Sequence, residues 1–334
     1  MNAGKPTISI VATGGSIAGV GPDRLDYILY PELGEHITIE QSLERIPESE
    51  FLAQVEPEDL ISVGSTAIGP EEWLKLTKRI NSLLANDQID GVVVTHGTAT
   101  LEETAYFLHL TVKSEKPVVL TGAMRPPTAI GTDADLNLLD AIRVAASPIS
   151  FGKGVLTILN NEIQCARDVV KTNTFRVETF KPNELGFLGY ADSDGEVVFY
   201  RAPLRRHTTT TEFQVDEMNT LPRVDIVYCY AGSDELLINA VRSNHSDGLV
   251  LAGFGGGSFP PKAIEAAAQA VAEGIPVVLA SRSIAGRVVM TPRKEEQQFI
   301  ASDNLQPQKA RILLMLALTA TRDRKAIQRM FGEY

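Results

Sequence analysis

Cysteines are rare in this sequence, with only two among its 334 residues. Cys165 and Cys229 lie far apart and form no CxxC pattern, so their spacing predicts neither a metal site nor a redox pair. Long apolar runs are also missing, because no window reaches the about eighteen apolar residues that a membrane-spanning helix needs. The first apolar stretch, Ile8–Ala12, is too short for the core of a signal peptide. We therefore predict a reduced, cytoplasmic protein without a membrane partner.

Basic residues are outnumbered: the chain carries 42 acidic and 31 basic residues, a formal net charge of −11. This balance favours solubility and argues against a nucleic-acid partner, which would bind a basic surface. Hydrophobic residues make up 44% of the chain, enough for a large core, and the length suits two domains. The partner that we expect is a small-molecule substrate.

Short apolar runs alternate with helical patterns. Gly91–Thr95 and Val118–Thr121 are typical of fully buried strands, and Leu101–Val112, between them, has helical spacing. Such alternation predicts an α/β fold with a parallel or mixed sheet. Arginine and threonine runs interrupt it, and a second alternating series follows. The predicted regions are an N-terminal α/β domain (1–200), a linker (201–222) and a C-terminal α/β domain (223–334).

Glycines and hydroxyl-bearing residues cluster in three loops that follow predicted strands. The loops are Thr13–Ser16, Gly64–Thr66 after the apolar run Leu60–Val63, and Thr95–Thr100. Open α/β sheets bind ligands at the carboxyl ends of their strands, where backbone N–H groups suit a carboxylate or an oxyanion. For any single loop the alternative is a tight turn with capping hydroxyls. Nucleotide binding is disfavoured, because even the glycine-rich Gly253–Ser258 lacks the phosphate-binding spacings.

Hydroxyl nucleophiles need a base at neutral pH, and two residues compete for that role. His96 precedes a glycine in a turn, which indicates a structural histidine bonded to backbone. Lys171 is the better candidate, because a partly buried lysine can lose its charge and take a proton from a hydroxyl. Its neighbouring residues alone would also fit an ordinary surface lysine.

Two segments resemble the signatures of bacterial L-asparaginases. Ala12–Gly19 is similar to ATGGTIAG, and Val94–Thr104 is similar to ITHGTDTxEET. The resemblance runs from about Ile8 to Tyr334. It implies a two-domain α/β fold, with a larger N-terminal mixed-sheet domain and a smaller C-terminal parallel-sheet domain. It also implies an amidohydrolase that uses no metal or cofactor, in a homotetramer of close dimers whose neighbouring subunits share active sites.

The resemblance assigns catalytic roles by position. Ser16 and Thr98 stand where the family has its two catalytic threonines, and Lys171 matches the lysine partner. A mobile lid expected near 21–35 would supply a tyrosine, for which the chain offers two choices. The candidate catalytic residues are Ser16, Thr98, Lys171, Tyr27 and Tyr30.

Further residues are expected to bind the substrate. Ser65 matches the residue that holds the substrate's α-carboxylate, and Ser258 lies in the loop that reaches the neighbour's site. Backbone N–H groups of Gly15 and of the Thr98–Ala99 turn could stabilise an oxyanion. Thr66 and Ala99 occupy positions that contact the substrate's α-ammonium in the family.

Three of these positions depart from the family pattern. Ser16 replaces threonine and keeps the hydroxyl, whereas Ala99 replaces aspartate and Thr66 replaces glutamine or glutamate. Losing a charged hydrogen-bond partner costs about 2–5 kcal/mol. The sequence therefore predicts a carboxylate-bearing substrate without a free α-amine: an ω-amide, an imide or a hydantoin-like ring, with a thiocarbonyl or imine carbon ranked lower.

Two alternatives remain open. The chain could be an ordinary asparaginase or glutaminase in which a nearby acid compensates for Ala99. It could also be a catalytically inactive binding protein, although the retained Thr98 and Lys171 argue against that reading, because an idle pocket does not need this pair.

Overall fold

The structure is a computed structural model, and it describes residues 4–334. The chain divides between Glu217 and Met218 into a larger and a smaller compact unit. Among the described residues, no helix combines the length and the apolar character that a membrane crossing requires.

The larger unit contains a long sheet and a short two-stranded ribbon. Its strands are β1 (Thr7–Ala12), β2 (Gln54–Asp59), β3 (Gly91–Thr95), β4 (Val118–Thr121), β5 (Val155–Leu159), β6 (Glu162–Cys165), β7 (Val170–Lys171), β8 (Phe180–Lys181), β9 (Gly189–Ala191) and β10 (Val197–Phe199). Its helices are α1 (Tyr30–Leu33), α2 (Ile39–Glu44), α3 (Ser49–Leu52), α4 (Pro70–Leu84), α5 (Leu101–Thr111) and α6 (Ala134–Ala146). Over the described residues the sheet order is β10-β9-β6-β5-β4-β3-β1-β2, with β1 to β5 parallel.

Both faces of the sheet centre are buried, which explains the uninterrupted apolar runs. Ile10 and Val93 belong to the same core cluster as Leu138 of α6. Val11 and Val94 point to the opposite side, into a cluster with residues of α4 and α5. Because successive side chains of a strand face opposite ways, helices cover the sheet on both sides.

The edge strand β2 differs from the sequence prediction. Leu60–Val63 was the apolar run expected before the second loop, but the strand is Gln54–Asp59 and most of its residues are exposed. An edge strand with polar side chains has no apolar run, so the pattern pointed to the segment after it. Leu60 and Ile61 both donate to the carbonyl of Ala12, at 3.1 and 3.2 Å, which brings the second loop beside the first.

The two-stranded ribbon packs on the start of α5. β7 and β8 pair in antiparallel register, with Lys171 opposite Phe180. Val169 and Phe180 belong to a buried apolar cluster that includes Leu101, the first residue of α5. Packing in this cluster places the ribbon at the end of the sheet where the three predicted loops lie.

The smaller unit is a parallel sheet with helices. Its elements are β11 (Val224–Tyr228), α7 (Leu236–Ser243), β12 (Gly248–Gly253), α8 (Pro261–Ala272), β13 (Val277–Ser281), α9 (Pro292–Glu296), β14 (Ile300–Ala301), α10 (Pro307–Ala320) and α11 (Arg324–Glu333). The strand order is β11-β12-β13-β14, and all of the pairs are parallel. The predicted fold class, a larger mixed-sheet domain and a smaller parallel-sheet domain, is confirmed.

The segment predicted as a linker, 201–222, is not a loose connection throughout. Its first part belongs to the larger unit, where Phe213 and Val215 are buried. Thr211 donates to the carbonyl of Leu110 at 2.7 Å and accepts from the ammonium of Lys113 at 2.6 Å. The threonine run was interpreted as linker because it lacks periodicity, but here its hydroxyls satisfy polar groups at the end of α5.

Candidate active site

Three loops meet at the carboxyl ends of the neighbouring strands β2, β1 and β3. Gly15 has a φ of +86°, and a Cβ placed on it would lie 2.2 Å from the Cα of Gly97. A Cβ on Gly97 would lie 2.7 Å from the Cβ of Ser65. The loops are therefore in direct contact, and the two glycines are needed because no side chain fits between them.

The first hydroxyl is bonded to a tyrosine of the expected lid. Ser16 begins a short 3-10 turn, Ser16–Ala18, and is buried. The Tyr30 hydroxyl donates to Ser16 Oγ at 2.7 Å. Burial raises the pKa of Tyr30, its bond to Ser16 opposes the rise, and the charges of Asp133 and Asp26 add to it. Tyr30 is therefore a neutral donor at physiological pH.

Local backbone bonds hold Tyr30 in place. The Asp26 carboxylate accepts the backbone N–H groups of Leu29 and Tyr30, at 2.9 and 3.1 Å, so it caps the turn that leads into α1. A Cβ on Gly19 would lie 2.7 Å from the Tyr30 ring, so the ring rests on bare backbone. Tyr27, the other predicted candidate, packs edge-on against the ring of Phe175, with 6.2 Å between ring centroids.

The second hydroxyl is bonded to the predicted lysine. Thr98 is buried in the loop between β3 and α5, and Lys171 Nζ donates to Thr98 Oγ1 at 2.8 Å. Burial lowers the pKa of Lys171, and the charge of Glu102 opposes that shift. The amine is therefore easier to deprotonate than an exposed lysine, which suits a proton acceptor next to a hydroxyl.

The Ser65 loop is tied to the turn after Thr98. Thr100 Oγ1 donates to the carbonyl of Ser65 at 2.7 Å, and the Ala99 N–H donates to Ser65 Oγ at 3.3 Å. The side chains of Thr66 and Ala99 are exposed. Neither carries a carboxylate, so these two positions offer hydroxyl and backbone groups to a substrate and no negative charge.

Ser258 lies in the smaller unit, in an exposed turn after β12. Its N–H donates to the carbonyl of Phe254 at 2.9 Å, and Gly255 and Gly257 in the turn have positive φ. The expectation that this loop reaches a neighbouring subunit's site stays a prediction.

His96 is a structural residue, in agreement with the sequence interpretation. Its ring is fully buried; Nδ1 lies 2.8 Å from the carbonyl of Gly97, and Nε2 lies 2.9 Å from Thr104 Oγ1. Trp73 Nε1 donates to the same hydroxyl at 2.9 Å. Burial lowers the pKa of His96 to about 4, so the ring is neutral at physiological pH. Its hydrogen bonds to Gly97 and Thr104 connect the loop that contains Thr98 to α5.

Sequence reasoning missed two acids that act on the site. Asp26 precedes Tyr30 by four residues, a spacing at which a carboxylate can cap a turn, and this local signal could have distinguished Tyr30 from Tyr27. Glu102 accepts the backbone N–H of Lys171 at 2.5 Å. The sequence analysis had no signal for this contact, because 69 residues separate the partners.

Family models cover both units. Residues 7–205 match the model described as asparaginase, N-terminal, and residues 223–331 match the glutaminase/asparaginase C-terminal domain. The chain belongs to the asparaginase family. The hydroxyl pairs of the larger unit therefore lie in an asparaginase-family fold, and the protein is a hydrolase of the amidohydrolase type.

Relatives of the asparaginase family are similar over almost the whole chain. L-asparaginase 2 of Bacillus subtilis (strain 168) is 46% identical, with 98% of this chain and 87% of the relative covered. L-asparaginase 2 of Escherichia coli (strain K12) is 42% identical, with coverages of 98% and 93%. Glutaminase-asparaginase of Pseudomonas fluorescens biotype A is 39% identical, with coverages of 98% and 90%.

A solved structure has the same fold. The crystal structure of a probable cytoplasmic L-asparaginase from Campylobacter jejuni matches with a TM-score of 0.95 and 41% identity, covering 99% of this chain and all of that one. At this identity the similarity extends to the sequence as well as to the asparaginase fold.

Proposed function

We propose that the protein hydrolyses the side-chain amide of a small carboxylate-bearing substrate and releases ammonia, with L-asparagine and L-glutamine as the first candidates. The observation that carries the proposal is that each of two buried hydroxyls is hydrogen-bonded to a titratable side chain: Ser16 to Tyr30, and Thr98 to Lys171. The names of the relatives, L-asparaginase and glutaminase-asparaginase, support the same substrates.

The mechanism uses one hydroxyl to attack the amide carbon. Lys171 takes up the proton of the attacking hydroxyl, the neutral Tyr30 hydroxyl donates a hydrogen bond to Ser16, and backbone N–H groups at Gly15 and at the Thr98–Ala99 turn stabilise the oxyanion. The C–N bond then breaks, the amide nitrogen takes up a proton and leaves as ammonia, and an acyl-enzyme remains. Water hydrolyses the ester, which restores the hydroxyl and releases the acid.

The substrate's carboxylate is expected to bind at Ser65. The Ser65 hydroxyl lies beside the Ala99 N–H, near the start of α5. The amino-terminal end of a helix has a positive dipole, which stabilises an anion there. Tethering one end of the substrate in this way would place its amide near the two hydroxyls.

A second candidate is a substrate that lacks a free α-amine, such as an ω-amide, an imide or a hydantoin-like ring. One specific observation favours it: Ala99 and Thr66 are exposed at the loop rim and bring no carboxylate to an ammonium group. At about 2–5 kcal/mol for a lost charged partner, asparagine would lose roughly thirty- to several-thousand-fold in kcat/KM.

A substrate panel distinguishes the two candidates. Asparagine, glutamine, their analogues without the α-amine, and cyclic imides and ureides are assayed for ammonia or ring-opened product. Hydrolysis of asparagine at ordinary enzyme rates would support the first candidate and rule out the second. Ala99→Asp should increase asparagine turnover if the missing carboxylate limits it. Inertness towards the whole panel would favour a binding protein.

Assembly and location belong to the same proposal. A homotetramer of close dimers with shared active sites, which the family resemblance implies, can be tested by light scattering of the purified protein. A cytoplasmic location remains a prediction as well. The solved Campylobacter jejuni relative is named cytoplasmic, whereas a Haemophilus influenzae relative is named a probable periplasmic L-asparaginase.

A further inference from the structure

Glu102 joins the two elements that carry Thr98 and Lys171. It lies in the first turn of α5, four residues after Thr98, and the residue is 8% exposed. Its Oε2 accepts the backbone N–H of Lys171 at 2.5 Å. The apolar cluster under the ribbon brings Lys171 close to α5, but apolar contacts are not directional. The hydrogen bond adds the fixed geometry that they lack.

The N–H of Lys171 points away from the partner strand. In the ribbon, Thr172 donates its N–H to the carbonyl of Thr179 at 2.8 Å. Backbone N–H groups of successive residues point to opposite sides of a strand, so that of Lys171 faces the open edge of β7. Over the described residues the ribbon has only β7 and β8. The carboxylate of Glu102 therefore stands where a further strand would pair.

Glu102 also acts electrostatically on the Lys171 amine. Burial lowers the pKa of Lys171, and the carboxylate of Glu102 is the charged group that opposes this effect. Lys181 of β8, beside the partner of Lys171 in the ribbon, is held by Glu178 at 2.7 Å and by Glu162 at 3.5 Å. Because residue 99 is an alanine, the negative charge that acts on the Lys171 amine comes from Glu102 in α5 rather than from the loop before the helix.

We propose that Glu102 is a positioning residue that fixes the Lys171 main chain beside Thr98 and, through its charge, sets how readily the Lys171 amine gives up its proton. The inference rests on the proposed function for its catalytic meaning, but its structural content can be tested without any substrate. The proposal predicts two separate effects of Glu102: its charge affects the reactivity of the Lys171 amine, and the length of its side chain affects the hydrogen bond to the Lys171 N–H.

The charge is tested by Glu102→Gln, which keeps an oxygen acceptor for the N–H and removes the charge. Trace labelling with acetic anhydride across a pH series, read by mass spectrometry, gives the pH midpoint of Lys171 reactivity, with exposed Lys262 as internal standard. In Glu102→Gln the midpoint should fall by about one pH unit. Glu103→Gln, in the same helical turn, is the matched control and should leave it unchanged. An unshifted midpoint in Glu102→Gln would overturn the inference.

The reach is tested by Glu102→Asp, which keeps the charge on a shorter side chain. Hydrogen exchange of the peptide containing Lys171 should lose protection by about tenfold, the cost of one such bond, whereas Glu103→Asp should not change it. Unchanged protection would refute the positioning role even if Glu102→Gln fails to fold. Neither readout needs turnover, so failure of the amidase proposal is recognised separately, by inertness in the substrate panel.

Discussion

The two hydroxyl pairs are chemically alike but are built on different supports. Thr98 and Lys171 lie on the β3–α5 loop and on the ribbon, next to buried apolar clusters. Tyr30, the partner of Ser16, lies on a lid segment whose Leu25 and Ile28 are 78% and 59% exposed. The elements that carry one pair are therefore anchored on buried apolar clusters, whereas the other pair is completed by a tyrosine from an exposed segment.

The lid is held by a few specific bonds rather than by a core. The Gly21 N–H donates to Thr128 Oγ1 at 2.9 Å, and the Ile130 N–H donates to the carbonyl of Arg24 at 2.7 Å. Segments with few buried contacts open at low free-energy cost. From this comparison we predict that the Thr98 pair is preorganised, and that the Ser16 pair depends on how much of the time the expected lid is closed.

The largest loss is expected at the preorganised pair. Thr98→Ala removes the hydroxyl that Lys171 contacts, and kcat for the best substrate of the panel should fall by at least about a thousandfold. Thr98→Ser keeps the hydroxyl and should lose far less. Steady-state ammonia release measures both. Comparable rates for Thr98→Ala and Thr98→Ser would show that this hydroxyl takes no part in the reaction.

A smaller loss is expected on the lid. Tyr30→Phe removes the donor to Ser16, and kcat should fall by about a hundredfold, a typical contribution of one proton-transfer group. In Tyr27→Phe, kcat should change by no more than about twofold, because the Tyr27 ring packs against Phe175 and the hydroxyl bonded to Ser16 is that of Tyr30. If the two variants exchanged these results, the lid assignment would be wrong.

The cap of the lid is expected to have a milder effect. Asp26→Ala frees the N–H groups of Leu29 and Tyr30, and a lost cap costs about 1 kcal/mol. That cost corresponds to about a fivefold lower ratio of closed to open lid, and thus to a drop of up to about fivefold in kcat/KM. Asp26→Asn keeps an acceptor oxygen and should lose less. An effect of Asp26→Ala as large as that of Tyr30→Phe would contradict a purely local cap.

The smallest effect on kcat is expected for His96→Gln. At this position the expected change is in how the free energy of unfolding depends on pH. Its pKa is lowered to about 4 from 6.5, so the folded state binds fewer protons than the unfolded state between these values. The free energy of unfolding should thus fall by about 3 kcal/mol as pH falls from 6.5 to about 4. His96→Gln should lose this share of the pH dependence. Urea unfolding of both proteins across that range is the measurement, and parallel curves would refute the prediction.

The features that could be predicted from the sequence are those that produce a periodic apolar pattern or match a family signature. The buried strands Gly91–Thr95 and Val118–Thr121 have the predicted bounds, because strands buried on both faces are apolar throughout. β2 was missed because it lies at the sheet edge with polar side chains. The choice of Tyr30 over Tyr27 depends on how the lid folds over Ser16, which no periodicity reports.

The contact between Gly15 and Gly97 limits how this site can be redesigned. Two main chains that touch leave no side chain to trim or enlarge, so the spacing of the loops that carry Ser16 and Thr98 cannot be changed by repacking at this contact. Exposed rim positions such as Thr66 and Ala99 are free of that constraint. A change of substrate preference, whether by evolution or in the laboratory, is therefore expected to begin at the rim while the glycine contact stays untouched.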